Sequence, residues 1–198
     1  MGRIRSALEI ALERTESIKT DKSSVGMFEA RQEGKKIANL FIADPSKSLE
    51  DALKSQPKES QAGFKQGIFD VLSAQISLPV SESDLVRIDA VGKGLAFLIK
   101  DGRFTALYKQ LSQLMVQYID DTAHTEKAIR AQYAPKLQQK EDELSKRLGQ
   151  EVHIDPFQDP EFVMIFNQNI NALKTNYQAP LDQVKAEATR LWNEQAGN

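Results

Sequence analysis

Nine apolar residues, Val163, Phe166, Ile170, Leu173, Tyr177, Leu181, Val184, Ala188 and Leu191, follow one another at intervals of three or four. Intervals averaging near 3.5 draw a single stripe along an α-helix. A strand, whose side chains alternate with a repeat of two, cannot gather these residues on one face. A stripe this long needs a partner stripe and predicts left-handed, coiled-coil-like packing against it. The partner lies upstream. Phe104, Leu107, Leu111, Leu114 and Tyr118 keep the same spacing, and Ile129, Tyr133, Leu137, Leu144 and Leu148 extend it more loosely.

The residues between the two stripes dictate how they connect. Gly149 is a helix stop, and Lys146 and Arg147 before it suit the negative end of a helix dipole. Asp155-Pro156 and Asp159-Pro160 are both helix-start pairs, an acidic cap followed by a proline whose missing N–H is no loss there. The loop from Glu151 to Asp159 therefore joins two long helices into an antiparallel αα-hairpin. Pro135 and Pro180 fall inside those helices. An interior proline removes one backbone hydrogen bond at about 3 kcal/mol, so a kink or break is expected near Gln132.

Residues 1–100 read as about five shorter helices. The first, from about Arg3 to Lys19, places Ile4, Leu8, Ala11, Thr15 and Ile18 on one stripe. Thr20-Asp21-Lys22-Ser23-Ser24 breaks that pattern. Ser23 or Ser24 then caps a second helix, reaching about Ile42, with Met27, Phe28, Ile37, Ala38 and Phe41 as its apolar face. Asp44-Pro45 opens a short third helix carrying Leu49, Ala52 and Leu53. After Pro57 a fourth carries Phe64, Ile68, Val71, Leu72 and Ile76 to about Leu78. Ser81-x-x-Asp84 resembles a capping box ahead of a fifth, which uses Leu85, Ile88, Val91, Leu95 and Leu98 and ends at Asp101-Gly102. Gly34, Gly92 and Gly94 mark expected close approaches. The expected fold class is all-α, a helical bundle with a long antiparallel C-terminal helical hairpin. Residues 1–100 form its N-terminal helical region and residues 101–198 the hairpin, in one continuous structural unit. A bare hairpin leaves much of each stripe wet, so its cover has to come from residues 1–100 or from a second copy of the chain.

Composition narrows the function classes. Ten glycines and seven prolines in 198 residues are too few for a sandwich or barrel with its frequent turns. The 26 basic and 28 acidic residues are interspersed, with basic runs no longer than pairs such as Lys35-Lys36 and Lys146-Arg147. No row of phosphates could be neutralised by such a pattern, and nucleic acid is not an expected partner. The absence of cysteine removes disulfides, thiolate nucleophiles and thiolate metal sites, and fits a cytoplasmic location. Glu9 and Glu13 interrupt the opening segment, so it does not read as a signal peptide. No stretch approaches the ~18–20 apolar residues of a membrane span. Met1-Gly2-x-x-x-Ser6 fits the N-myristoylation pattern, which is short enough to arise by accident.

The opening run RIRSALEIALERTESIK, and the later run PKLQQKEDELSKRLG followed by IDPFQDPEF, resemble a bacterial protein family of unknown function and of about this length. That resemblance implies a bacterial source. It carries no functional residue, because neither run is a chemical motif.

Asp120-Asp121-Thr122-x-His124 is the sharpest polar feature. Asp121 and His124 are three residues apart, Asp120 and His124 four, so a shared helix face is possible. Di-iron bundles use a Glu-x-x-His of this spacing, but they need two such pairs and two further glutamates. Here one pair exists, and the chain has only two histidines, His124 and His153. A solvated or interhelical polar layer is the favoured reading, with a divalent-metal site at Asp120, Asp121 and His124 as the sharper alternative. Asp155, beside His153, reads as a helix cap, and Glu141-Asp142-Glu143 as a solvated face. Gly92-Lys93-Gly94 lacks the remainder of a phosphate loop. Ser55-x-x-Lys58 contains Pro57 and lacks its partner motifs. Trp192 lies beside the apolar stripe, either closing the core or anchoring a partner.

No catalytic residue and no cofactor emerges. The function expected is non-enzymatic, that of a helical assembly or adaptor protein whose partner is another protein or a second copy of itself, a homo-oligomer built through the hairpin. The alternative is a bundle that binds a small ligand or divalent metal between helices, near Tyr118, Asp121 and His124. Membrane-surface binding by the first helix ranks below both, since its polar face mixes glutamate with arginine.

Overall fold

Ser48, Asp84 and Asp159 cap the starts of three helices, and Lys100 and Gly149 turn the backbone left-handed at the ends of two. The computed structural model describes the backbone of residues 7–196 and the side chains of residues 24–195. Six α-helices follow in order: α1 (Ala7–Ala43), α2 (Leu49–Lys54), α3 (Gln61–Ala74), α4 (Asp84–Ile99), α5 (Gly102–Leu148) and α6 (Pro160–Ala196). Single 3-10 turns lie at Lys58–Ser60 and Pro156–Gln158. No strand occurs among the described residues. The protein is all-α, as the periodicity requires.

Several local expectations are corrected. The two helices expected before Ile42 are one: α1 runs unbroken through Thr20 to Ser24, so residues 7–100 hold four α-helices rather than five. Serine, threonine and aspartate disfavour a helix interior only by tenths of a kcal/mol each, and no proline or glycine interrupts that stretch. Residues 3–6 of the expected first helix lie outside the described residues, as do the side chains of the rest of its stripe. The cap expected at Asp44 belongs to Ser48, whose hydroxyl accepts from the Asp51 N–H at 3.1 Å. Asp44 instead folds its carboxylate onto the Ser46 N–H and hydroxyl, an Asx turn that holds its pKa below the usual carboxylate range. The residue that closes α4 is Lys100, at φ +51°, and Gly102 starts α5.

Both long helices pass through their prolines without a break. The carbonyls orphaned by Pro135 and Pro180 belong to the residues four earlier, Ala131 and Asn176. Both of these residues are exposed, which leaves their freed carbonyls open to solvent.

The chain divides into two compact units. The first contains Met1–Ile76, Ala90–Asp101 and Leu191–Asn198. Its centre is the crossing of α1 and α3, where backbones touch. A Cβ on Gly63 would stand 2.5 Å from the Met27 carbonyl oxygen, and one on Gly34 or Gly67 would overlap the carbonyls of Phe64 or Arg31. The buried face of α1 is accordingly Ala30, Gly34, Ala38 and Phe41. Phe28, expected in the core, is 62% exposed, and Met27 is exposed as well. Small residues take the crossing because nothing larger fits, and the bulkier ones turn aside. Phe64, Ile68, Leu72, Leu95 and Ile99 fill the interior, and Gly94 admits Leu72, Phe41 and Leu49 within 3.4 Å of where its Cβ would be.

The second unit contains Ser77–Asp89 and Gly102–Arg190. Asp84 opens α4 by accepting from the Val80 and Ser81 N–H groups at 2.7 and 3.2 Å, one arm of the expected capping box. Ser81 spends its hydroxyl on Ser83 instead, at 2.7 Å. Contacts between α5 and α6 pair Asp121 with Tyr177 and Tyr133 with Glu161, which fixes the two helices as antiparallel. The buried stripe of α5 is Phe104, Tyr108, Leu111, Met115 and Tyr118, then Ile129 and Tyr133. Tyr108 and Met115 therefore replace the expected Leu107 and Leu114, which are half-buried, and Leu144 and Leu148 are exposed. On α6 the buried residues include Ile170, Leu181, Val184 and Ala188, with Phe162 rather than Val163 or Phe166 sealing the loop end. Gly149 stops α5 at φ +67°, and Asp159 caps α6 by accepting from the Glu161 N–H at 3.0 Å.

Candidate functional site

Within the first unit α1, α3, α4 and the last turns of α6 leave a cleft of about 720 Å³. Its wall is built on Trp192. The indole stacks on Phe69, ring centroids 4.8 Å apart and planes within 8°, and donates its N–H to Gln66 Oε1 at 2.9 Å. Leu98 continues that wall, and the exposed Met27 and Phe28 stand on the α1 side. Gly63 also lines the cleft. The close crossing that requires this glycine is what turns Met27 and Phe28 outward.

The polar groups around the cleft divide into those already engaged and those that are not. Gln66 holds Trp192 and donates to Asp70, Gln195 donates to the Ile99 carbonyl, and Gln61 donates to the Leu53 and Gln56 carbonyls. Arg31 is paired with Asp70 at 2.6 Å. Lys58 and Lys65 remain. Neither has an ionic partner among the described residues, and Lys65 is half-buried. Among the described residues no aspartate or glutamate lines the cleft. The arrangement can hold an apolar surface that brings its own negative charge. Among the described lining residues no nucleophile stands beside a base.

The loop end of the hairpin gathers charge of both signs. Lys140 donates to Asp159 and, at 2.9 Å, to the Tyr133 hydroxyl, while Lys136 pairs with Glu161. Tyr133 in turn donates to Glu161 at 3.3 Å. Asp159 is the one buried acid among the described residues. Its hydrogen bond from Lys140 holds its pKa below the usual carboxylate range, and the same bond pushes the Lys140 ammonium up. Arg130 lies over the Phe157 ring at 4.9 Å. Every group here is spent on a neighbour across the hairpin, which makes the cluster a clamp between α5 and α6.

The residues singled out from the sequence fall as follows. Asp121 turns toward α6 and accepts the Tyr177 hydroxyl at 2.5 Å, with Tyr118 and Tyr177 edge to face at 5.2 Å. Asp120 and His124 are exposed, and neighbouring helical positions diverge by about 100°. The three are not brought together, and among the described residues no group of three or more histidine, aspartate or glutamate side chains is placed to hold a metal ion. Asp155 caps the 3-10 turn through the Phe157 N–H at 3.0 Å. Glu141 is no solvated residue: its carboxylate accepts from the Ile154 N–H at 2.8 Å and lies 3.6 Å from the exposed His153 ring. The cleft itself was invisible in the sequence, because Met27, Lys65, Leu98 and Trp192 share no local pattern. Gly63-x-x-x-Gly67 was the available signal for the crossing that shapes it.

No helix among the described residues is long and apolar enough to cross a membrane. Comparison with curated proteins and with solved structures finds no match to this chain. Residues 50–190 match the family of unknown function DUF6657, α2 to most of α6, and the chain belongs to that family.

Proposed function

We propose that this protein is a non-enzymatic helical adaptor, working in the cytoplasm, that holds another protein in the cleft of its first unit. The observation that carries the reading is the exposure of Met27 and Phe28 beside the Trp192 wall. Large apolar side chains at the mouth of an aromatic-walled cleft mark interaction sites, and tryptophan is enriched among residues that dominate binding energy. The long hairpin supports the same reading as a spacer, since its polar contacts are internal ties. Self-association through the half-buried stripes of α5 and α6 is a further form of the same proposal.

A second reading, a small apolar ligand bound between helices, is favoured by the size of the cleft, which lies in the range of about 300–1,000 Å³ typical of ligand pockets. Native mass spectrometry of the purified chain separates them, with light scattering over a hundredfold concentration range. The adaptor reading expects no retained small molecule. A co-purified compound that Phe28→Asp releases would sink it. A mass that is a multiple of 22.2 kDa would identify the partner as a second copy.

A further inference from the structure

Resting on the docking reading above, we infer that the cleft's occupant is an acidic amphipathic helix of a partner protein, its apolar stripe against Phe28, Leu98 and Trp192 and its carboxylates over Lys58 and Lys65.

Charge selects the sign. Lys58 and Lys65 line the cleft without an ionic partner among the described residues, Arg31 at its edge is already paired with Asp70, and among the described residues no carboxylate lines it. Lys65, on α3 itself, is half-buried and gains more from a counter-ion than the exposed Lys58, because a partly covered ammonium is held by less water. A basic or neutral apolar segment would leave that cation uncompensated.

Hydrogen bonding selects the conformation. An extended peptide needs donors and acceptors along its backbone. The three glutamines of the cleft are already committed to Trp192, Asp70 and backbone carbonyls, and no strand edge exists among the described residues to pair with. A helix satisfies its own backbone and asks only for an apolar seat and a counter-charge at its flank.

Trp192 is the only tryptophan in the chain, so its fluorescence reports on the cleft directly. The test titrates the full chain with three probes. The first is an 18-residue helical peptide with leucine at heptad a and d positions and glutamate at the flanking ones. The second is its lysine isostere, and the third is sodium dodecanoate. The expected result is saturable quenching or shift of Trp192 by the glutamate peptide, weakened by added salt. Lys65→Glu combined with Lys58→Glu should weaken it at least tenfold, with an unchanged circular dichroism spectrum. Equal binding of the lysine isostere overturns the acidic assignment and leaves the docking reading standing. Binding of dodecanoate alone overturns both. No response to any probe overturns the inference, as does a homodimer that the double substitution dissociates.

Discussion

Trp192 and Phe69 stack face to face at 4.8 Å, with the indole N–H bound to Gln66, so one side chain of α6 is held by a ring and an amide of α3. The contact joins residues more than a hundred positions apart and forms the wall of the cleft. Trp192→Phe keeps the stack and leaves Gln66 Oε1 without its donor, at about 1 kcal/mol. Trp192→Ala removes the ring and leaves a cavity, at roughly 3–5 kcal/mol. Urea unfolding measures both. Equal losses for the two variants would show that the stack contributes nothing beyond the hydrogen bond.

Glycine substitutions separate the crossing from the rest of α1. Gly34 and Gly67 have a facing backbone where a Cβ would go, and backbone cannot step aside as a flexible side chain can. Gly34→Ala and Gly67→Ala should each lower stability by about 2 kcal/mol or more, by forcing α1 and α3 apart. Gly26 lies in the same helix with nothing within 4 Å, and Gly26→Ala should raise stability by roughly 0.5–1 kcal/mol. Thermal unfolding followed by circular dichroism checks the opposite signs.

Lys100 adopts φ +51°, a conformation that glycine takes without strain and an L residue does not. Lys100→Gly relieves about 1–2 kcal/mol of left-handed strain and costs roughly 0.5–1 kcal/mol of unfolded-state entropy, so it should stabilise the chain by about 0.5 kcal/mol. Gly149, at φ +67°, is the converse, and Gly149→Ala should destabilise by a similar amount. If both changes destabilise equally, φ is not what these positions select.

What the sequence made legible follows from which interactions are local. The C-terminal part of the 3-4 stripe on α6 (Leu181, Val184, Ala188 and Leu191), the cap at Asp159 and the stop at Gly149 each depend on residues a turn or two apart, and all three stand in the fold. Phe28 was misplaced because periodicity assigns large apolar residues to the core, whereas the crossing at Gly34 and Gly63 admits only small ones. Phe162 was missed for a related reason. A straight helix drifts about 20° per heptad from a 3.5-residue stripe, and over the length of α6 the buried face moves by one position. For Asp121 a polar layer was the favoured expectation, with a metal ligand as the alternative, and its partner in the fold is Tyr177 of α6. Nothing near Asp121 in the chain foretells that hydroxyl.

The Tyr177–Asp121 bond has a spectroscopic consequence. Burial first, and the Asp121 carboxylate second, push the Tyr177 phenol up to about 12. Its ionisation at 295 nm should lag the ordinary tyrosine range, and Asp121→Asn should move it part of the way back while leaving the burial effect. The raised pKa means that the folded state holds this proton more tightly than the unfolded chain. The associated stability is complete below about pH 10 and is lost as pH rises toward 12. An Asp121→Asn variant that titrates like the native chain would show that the 2.5 Å contact is not formed in solution.

The clamp at the loop end should make the hairpin sensitive to acid. The pKa of Asp159 is depressed, chiefly by its hydrogen bond from Lys140, so its contribution is present above the ordinary aspartate value near 4 and fades as pH falls through the lower folded value. Lys140 is raised by the same bond, and its contribution is present below about pH 10.4 and fades only above that. Between those limits the clamp is flat with pH. Asp159→Asn keeps a side-chain oxygen to cap α6 but loses the charge, so it should be less stable than the native chain at pH 7 and lose less on going to pH 3. Asp159→Ala loses the cap as well, a further roughly 1 kcal/mol. Chemical denaturation at pH 3, 5 and 7 on the three proteins separates cap from charge. Parallel pH profiles for the native chain and Asp159→Asn would mean that the acid sensitivity resides elsewhere.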